Sequence, residues 1–151
     1  MKSRYLHTNL IARDWRRLAR FYEELFGCVP LPPERDLHGA AVEAGTGVAG
    51  ARIEGMHLLL PGFGADGPTL EIFQYSKVAH EGPRAVNRPG LAHLAFSVDS
   101  VEEFRSRALA LGAAPVGETV TTAISPSTCV RWCYLADPEG NILELQSRCE
   151  A

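Results

Sequence analysis

The chain has 151 residues, 46% of them hydrophobic, and a formal net charge of −3. That size allows one domain or two very small fused units, and the apolar content supports a real core. The charge balance gives no broad basic field for nucleic acid, and no apolar run approaches the roughly 18 residues of a membrane span.

Tyr5 to Ile11 alternates as a strand and leads into Asp14, a good helix N-cap. From there to Phe26, residues Trp15, Leu18, Ala19, Tyr22, Leu25 and Phe26 recur with helical spacing, and Gly27 supplies the stop. Cys28 to Pro33 is a Pro-interrupted edge strand. Residues 34–49, rich in Gly and Ala, carry no assignable period. Ala51 to Leu60 and Thr69 to Tyr75 read as strands around a glycine-rich turn over Pro61 to Pro68. Residues 76–90, with Pro83 and Pro89, read as a linker.

The order then repeats. Leu91 to Val98 is a strand. Ser100 and Glu103 form a capping box for a helix with Val101, Phe104, Ala108 and Leu111 on its apolar stripe, ended by Gly112. Ala113 to Thr121 and Thr128 to Ala136 are strands. Asp137-Pro138-Glu139-Gly140 is a turn, and Asn141 to Ser147 is the last strand. The sum is an α+β chain of two βαβββ modules, over 4–75 and 91–148. Each offers a sheet with a helix on one face.

The repeat carries the functional signal. His7 and His93 lie in the first strand of each module, each seven residues before a helix cap, Asp14 or Ser100. Glu71 and Glu144 lie in the last strand, each four residues after a glycine. Strand parity puts all four opposite the apolar residues that would face the helix. Singly, each is more often a packed or solvated residue. Together, two imidazoles and two carboxylates suit one divalent ion such as Zn, Ni, Co, Mn or Fe. His38, His57 and His80 have no repeat partner and read as ordinary. Cys28, Cys129, Cys133 and Cys149 show no CxxC spacing and read as reduced thiols. With no signal-peptide core after Met1, the expected location is the cytoplasm.

Four segments together resemble the vicinal oxygen chelate superfamily, which includes glyoxalase I, methylmalonyl-CoA epimerase, extradiol dioxygenases and the fosfomycin and bleomycin resistance proteins. They are His7-Thr8-Asn9-Leu10, Phe21 to Gly27, Gly90 to Val98, and Asp137 to Leu145. The resemblance spans nearly the whole chain. It implies a single glyoxalase-like domain over 1–151, with paired βαβββ modules forming a curved mixed sheet around a metal cleft.

It also implies roles. His7, Glu71, His93 and Glu144 fill the ligand places of the glyoxalase I and epimerase branch. That branch moves a proton on a 2-oxo, hemithioacetal or acyl-thioester substrate, as a lyase or isomerase. Glu144 is then the catalytic base and Glu71 the second acid/base; Glu43 and Glu54 are alternative bases that read as solvated. Bacterial glyoxalase I enzymes carry an Arg four residues after the first His, where this chain has Ile11, which argues against glutathione. Arg131 is a substitute anchor for an anionic substrate if Val130, Trp132 and Tyr134 face the helix. Asn9, Phe73 and Tyr75 are further candidate substrate-binding residues. The expected partners are a small-molecule substrate and a second copy in a homodimer, with neither nucleic acid nor membrane. The rival readings are a metal-free drug-binding protein of the bleomycin-resistance type, an iron dioxygenase, a thiol transferase, and a regulatory module retaining the ligands by descent.

Overall fold

A computed structural model describes residues 4–79, 82, 87, 89 and 91–150. The predicted linker over 76–90 lies largely outside the described residues, and His80 wholly so. The chain divides into two compact units, Met1–Glu81 and Gly82–Ala151.

The first unit runs β1 (His7–Ile11), α1 (Trp15–Phe26), β2 (Val29–His38), α2 (Ala40–Thr46), β3 (Arg52–Leu59) and β4 (Thr69–Tyr75). Its sheet has the order β1-β4-β3-β2, so β2 is the edge strand its prolines require. β1 and β4 are parallel, while β4, β3 and β2 are antiparallel neighbours. Asp14 caps α1 by accepting the Arg17 N–H at 3.0 Å, and Gly27 closes it at φ 69°. The helix buries Trp15, Leu18, Ala19, Phe21, Tyr22 and Leu25. It packs on β3 and β4. Leu10, Leu58, Leu70 and Ile72 share one face of the sheet by register and are also buried. This core lets a 12-residue helix, marginal alone, persist. The unassigned stretch over 34–49 resolves into the end of β2 and the short helix α2.

The second unit runs β5 (Leu94–Ser97), α3 (Val101–Ala110), β6 (Ala114–Pro115), β7 (Val120–Ser125), β8 (Thr128–Ala136) and β9 (Ile142–Glu150). β5 pairs parallel with β9, and β9 with β8 antiparallel; β6 and β7 both pair with β8. The Ser100 hydroxyl caps α3 by accepting the Glu103 N–H at 3.2 Å. Val101 and Ala108 are buried, whereas Phe104 and Leu111 are only half-buried. The predicted strand over Ala113 to Thr121 splits into β6 and β7, separated by an exposed stretch around Gly117. β5 is shorter than expected, and His93 immediately precedes it. The predicted α+β class therefore holds, with two sheets of mixed strand direction.

The cysteines need a correction. Cys129 and Cys149 face one another across the β8–β9 ladder with their Cα atoms 4.9 Å apart, and they are joined as a disulfide. Strand register brings them together across 20 residues of sequence, beyond the reach of a local motif. Two of the four predicted free thiols are thus paired, and the cytoplasmic expectation loses that support. Cys28 and Cys133 are free and buried. Burial pushes the Cys28 thiol up to about 12, with Glu23 adding to the effect. Burial also raises Cys133, which makes both poor nucleophiles.

Thiol titration of the unfolded, unreduced protein should count the two free groups, and four after reduction. Four before reduction would exclude the disulfide. Gly55 in β3 is a second sensitive point. A Cβ there would meet the Ile72 carbonyl oxygen at 2.1 Å and Phe73 Cδ1 at 2.4 Å. Gly55→Ala should lower unfolding free energy by about 1–3 kcal/mol in urea denaturation, as overpacking does; an unchanged midpoint would mean that neither Ile72 nor Phe73 crowds Gly55.

Candidate functional site

Parallel pairing of first and last strand organises the polar residues of each unit. In the first, Asn9 is paired with Glu71 across β1–β4, and His57 is paired with Glu71 across β3–β4. Directly paired residues present their side chains to the same face, so Asn9, Glu71 and His57 form one rank on the face opposite Leu70 and Ile72. His7 lies two residues before Asn9 and shares that face. His7 Nδ1 and His57 Nε2 each lie 3.4 Å from Glu71 Oε1. Asn9 Nδ2 donates to Glu71 Oε2 at 3.2 Å. The Glu71 side chain is 13% exposed, so side-chain contacts replace much of its water.

The second unit repeats the register. Ala95 pairs with Glu144 across β5–β9, and Tyr134 pairs with Glu144 across β8–β9. His93 lies two residues before Ala95, as His7 does before Asn9. His93 Nε2 is 3.0 Å from Glu144 Oε2, and its ring lies 5.2 Å from that of Tyr134. The loop before β9 sets this placement. The buried Asp137 Oδ1 accepts the N–H groups of Glu139 and Asn141, each at 2.9 Å, and its Oδ2 accepts Asn141 Nδ2 at 2.7 Å. Gly140, at φ 83°, completes the turn.

Asn9, Phe73 and Tyr75 all share the Glu71 face by register. Phe73 is 8% exposed, and its ring lies 5.6 Å from His57. Arg131 does not fit its predicted role. Trp132 and Tyr134 share the Glu144 face, while Arg131 lies on the other face with Cys133 and Leu135. There Arg131 pairs with Glu102 of α3 and donates to Thr121 Oγ1 at 3.0 Å. The condition for that role, that Val130, Trp132 and Tyr134 face the helix, is therefore not met. Glu54 also falls on the other face, 3.7 Å from Arg52, and Glu43 lies in the first turn of α2.

His57 is the residue that repeat logic missed, because its counterpart in the second unit is Tyr134. A hairpin count would have found it: His57 and Glu71 are each seven residues from Gly64. Burial holds the His57 imidazole below its ordinary value. Glu71 partly offsets this, while Arg35 and His7 push in the same direction as burial.

The glyoxalase-like domain family model matches residues 7–145. The chain belongs to the glyoxalase-like domain family. A glyoxalase family protein from Bacillus cereus is similar in structure, with TM-score 0.82 and 21% identity over 98% of this chain and 95% of that one. A glyoxylase/bleomycin resistance protein/dioxygenase domain from Frankia sp. has TM-score 0.64 and 23% identity, covering 97% and 98%. The fosfomycin resistance protein FosX from Listeria monocytogenes has TM-score 0.60 and 18% identity, covering 97% and 94%. FosX is also known complexed with Mn(II) and sulfate. No curated protein is significantly similar in sequence.

The polar pairs of this glyoxalase-like chain can be tested against a metal by their spacing. Ligand bonds of about 2.1 Å place two donors on one ion about 3.0 Å apart at a right angle and about 3.4 Å apart at a tetrahedral angle. The His–Glu separations of 3.4 and 3.0 Å match that range. Among the described residues, no group of three or more His, Cys, Asp and Glu side chains is arranged to hold an ion. The first unit thus sets Glu71 against His7 and His57, and the second sets Glu144 against His93.

The depressed His57 value has a defined sign in the metal-free protein. The unfolded chain takes up this proton first as pH falls. The associated stability is therefore complete above about 6.5 and is lost as pH falls through the folded value. The His57 imidazole should titrate below about 6.5 by NMR. His57→Asn should flatten the decline of unfolding free energy on the acid side, and equal slopes in both proteins would exclude a buried neutral His57.

Proposed function

We propose that this protein is a metal-dependent enzyme of the lyase or isomerase type, moving a proton on a small 2-oxo, hemithioacetal or acyl-thioester substrate. The observation that carries this reading is the repeated register. Both units place a His two residues ahead of the position paired with Glu, on the face opposite the helix. The proposed ligands of one divalent ion (Zn, Ni, Co, Mn or Fe) are His7, Glu71, His93 and Glu144. The Mn(II) complex of FosX supports a divalent ion within this superfamily. When bound, such an ion supplies Lewis acidity to the oxygens of an enolisable carbonyl.

The carboxylates divide the remaining work unequally. Glu71 accepts a hydrogen bond from Asn9 at Oε2, and two imidazoles lie 3.4 Å from its Oε1. Glu144 meets His93 through Oε2. The carboxylate with fewer holding contacts can turn to take the proton alpha to a carbonyl and return it, so Glu144 is the base. Glu71 is the second acid/base, and its stronger tethering suits it to hold position.

One observation favours a second reading, a metal-free small-molecule binder of the bleomycin-resistance type. Among the described residues, no group of three or more His, Cys, Asp and Glu side chains is arranged to hold an ion.

Metal content separates the two. Protein purified without chelator should carry close to one equivalent of divalent metal per chain, lost in His93→Ala. Glu144→Gln should lower turnover of an enolisable substrate about 10²–10⁴-fold, the usual contribution of a general base. A chain that takes up no metal on reconstitution, yet binds small molecules, is the binder instead.

A further inference from the structure

The face of the first unit that carries Glu71 also carries a cation that the proposed chemistry has not used. Arg35 pairs with Gly55 across β2–β3, and Gly55 pairs with Phe73 across β3–β4. Arg35, Gly55 and Phe73 are therefore one rank of the sheet, on the same face as Asn9, Glu71 and His57. The two ranks are two residues apart along β3 and β4, a rise of about 6.6 Å. The β2–β3 register shifts between Leu31 and Arg35. Arg35 Nη1 donates to the Pro33 carbonyl at 2.6 Å, which folds the guanidinium back along β2 in the direction of the rank that holds His57.

Its charge is uncommitted. Arg16, Arg52 and Arg131 pair with Glu34, Asp36 and Glu102 respectively. Among the described residues, no carboxylate lies within 4.0 Å of Arg35, and one backbone carbonyl accepts from it. A guanidinium has five N–H donors in a planar fork, so Nη2 and Nε remain to meet two oxygens of one anion. Beside it, Gly55 leaves room for the Phe73 ring, since a Cβ there would meet Phe73 Cδ1 at 2.4 Å. An anion-binding fork, an aromatic surface and the Glu71 rank thus lie along one short stretch of sheet.

We propose that Arg35 anchors the oxyanion of the substrate, a terminal carboxylate or a phosphate or phosphonate, with the substrate's apolar body against Phe73 and its reacting end at the Glu71 rank. Arg35 thereby takes the role that Arg131, turned to the helix side, does not fill. This rests on reading that face as the substrate face. It narrows the substrate class to small anionic carbonyl compounds, and it makes Arg35 a binding residue, outside the proton transfer itself. The two headgroup chemistries differ in shape. A planar carboxylate matches the fork through two parallel hydrogen bonds, while a tetrahedral phosphonate offers a third oxygen.

The test is calorimetric titration of the metal-loaded and metal-free protein with two probes, pyruvate and methylphosphonate. Wild type, Arg35→Ala, Arg35→Lys, Arg131→Ala and Arg148→Ala are compared after matched thermal unfolding has verified their folding. Arg148 shares the Glu144 face in the second unit and is the competing cation. Arg35→Ala should weaken binding of the preferred probe at least 10-fold, and Arg35→Lys by less, while Arg131→Ala and Arg148→Ala leave it unchanged. The probe that wild type prefers identifies the headgroup. Equal affinity in wild type and Arg35→Ala, a loss confined to Arg148→Ala, or no binding of either probe to wild type would each overturn the proposal. Failure of the metal-dependent reading is visible separately: metal uptake is absent, while the difference between wild type and Arg35→Ala persists in the metal-free protein.

Discussion

The parallel ladder between the first and last strand of each unit is the constraint on which the polar site depends. A parallel pair cannot be closed by a tight turn, so a long connection must intervene: α1, β2, α2 and β3 in the first unit, and α3, β6, β7 and β8 in the second. That detour brings a residue near position 9 to one near position 71, and one near 95 to one near 144. The helix then buries one face of the sheet. The other face becomes the place where polar side chains stand without a penalty for displacing the core. Buried leucines beneath the glutamates, Leu70 and Leu143, hold the ladder in register. A slip of one residue would exchange Glu71 with Leu70 and put a carboxylate into the packed side.

Repetition of this frame does not repeat its chemistry. At the position paired with the glutamate, the first unit has Asn9 on one side and His57 on the other, while the second has Ala95 and Tyr134. The first pair consists of polar groups that contact the carboxylate, and the second of a methyl group and an aromatic ring. The same backbone arrangement therefore gives one glutamate hydrogen-bonded by Asn9 at Oε2 with two imidazoles near Oε1, and one met by His93 at a single oxygen. Arrays of groups around a ligand carboxylate fix its orientation and tune its basicity. The proposed division between a holding Glu71 and a moving Glu144 rests on this asymmetry rather than on the duplicated His/Glu pattern.

Much of this was legible from period alone. The helix from Asp14 to Gly27 follows from its cap, its apolar stripe and its glycine. The shared face of His7, Asn9 and Glu71 follows from alternation. Periodicity within one strand, however, does not report which residue of the next strand lies opposite. That information resides in hairpin geometry. Cys129 and Cys149 are each ten residues from Glu139, and their pairing follows once the β8–β9 turn is centred there. His57 follows in the same way from a turn centred on Gly64. The misplacement of Arg131 has a different origin. Its cleft role required Val130, Trp132 and Tyr134 to face the helix, but aromatic residues also cover the polar face, where Tyr134 packs against His93.

The placement of arginines completes the physical picture. Burying the aliphatic stem of an arginine costs little, but its charge requires a partner, water or a ligand. Arg131 finds its partner in Glu102 on α3, and that ion pair holds Glu102 below the usual carboxylate range. Arg52 does the same for Asp36. Both arginines are thereby satisfied within their own unit. Arg35 stands one rank from Glu71, braced by a backbone carbonyl that orients the guanidinium without neutralising it. A fork held in direction but left with its charge is arranged to receive an anion, and its position beside Phe73 and the Glu71 rank gives that anion a place in the substrate.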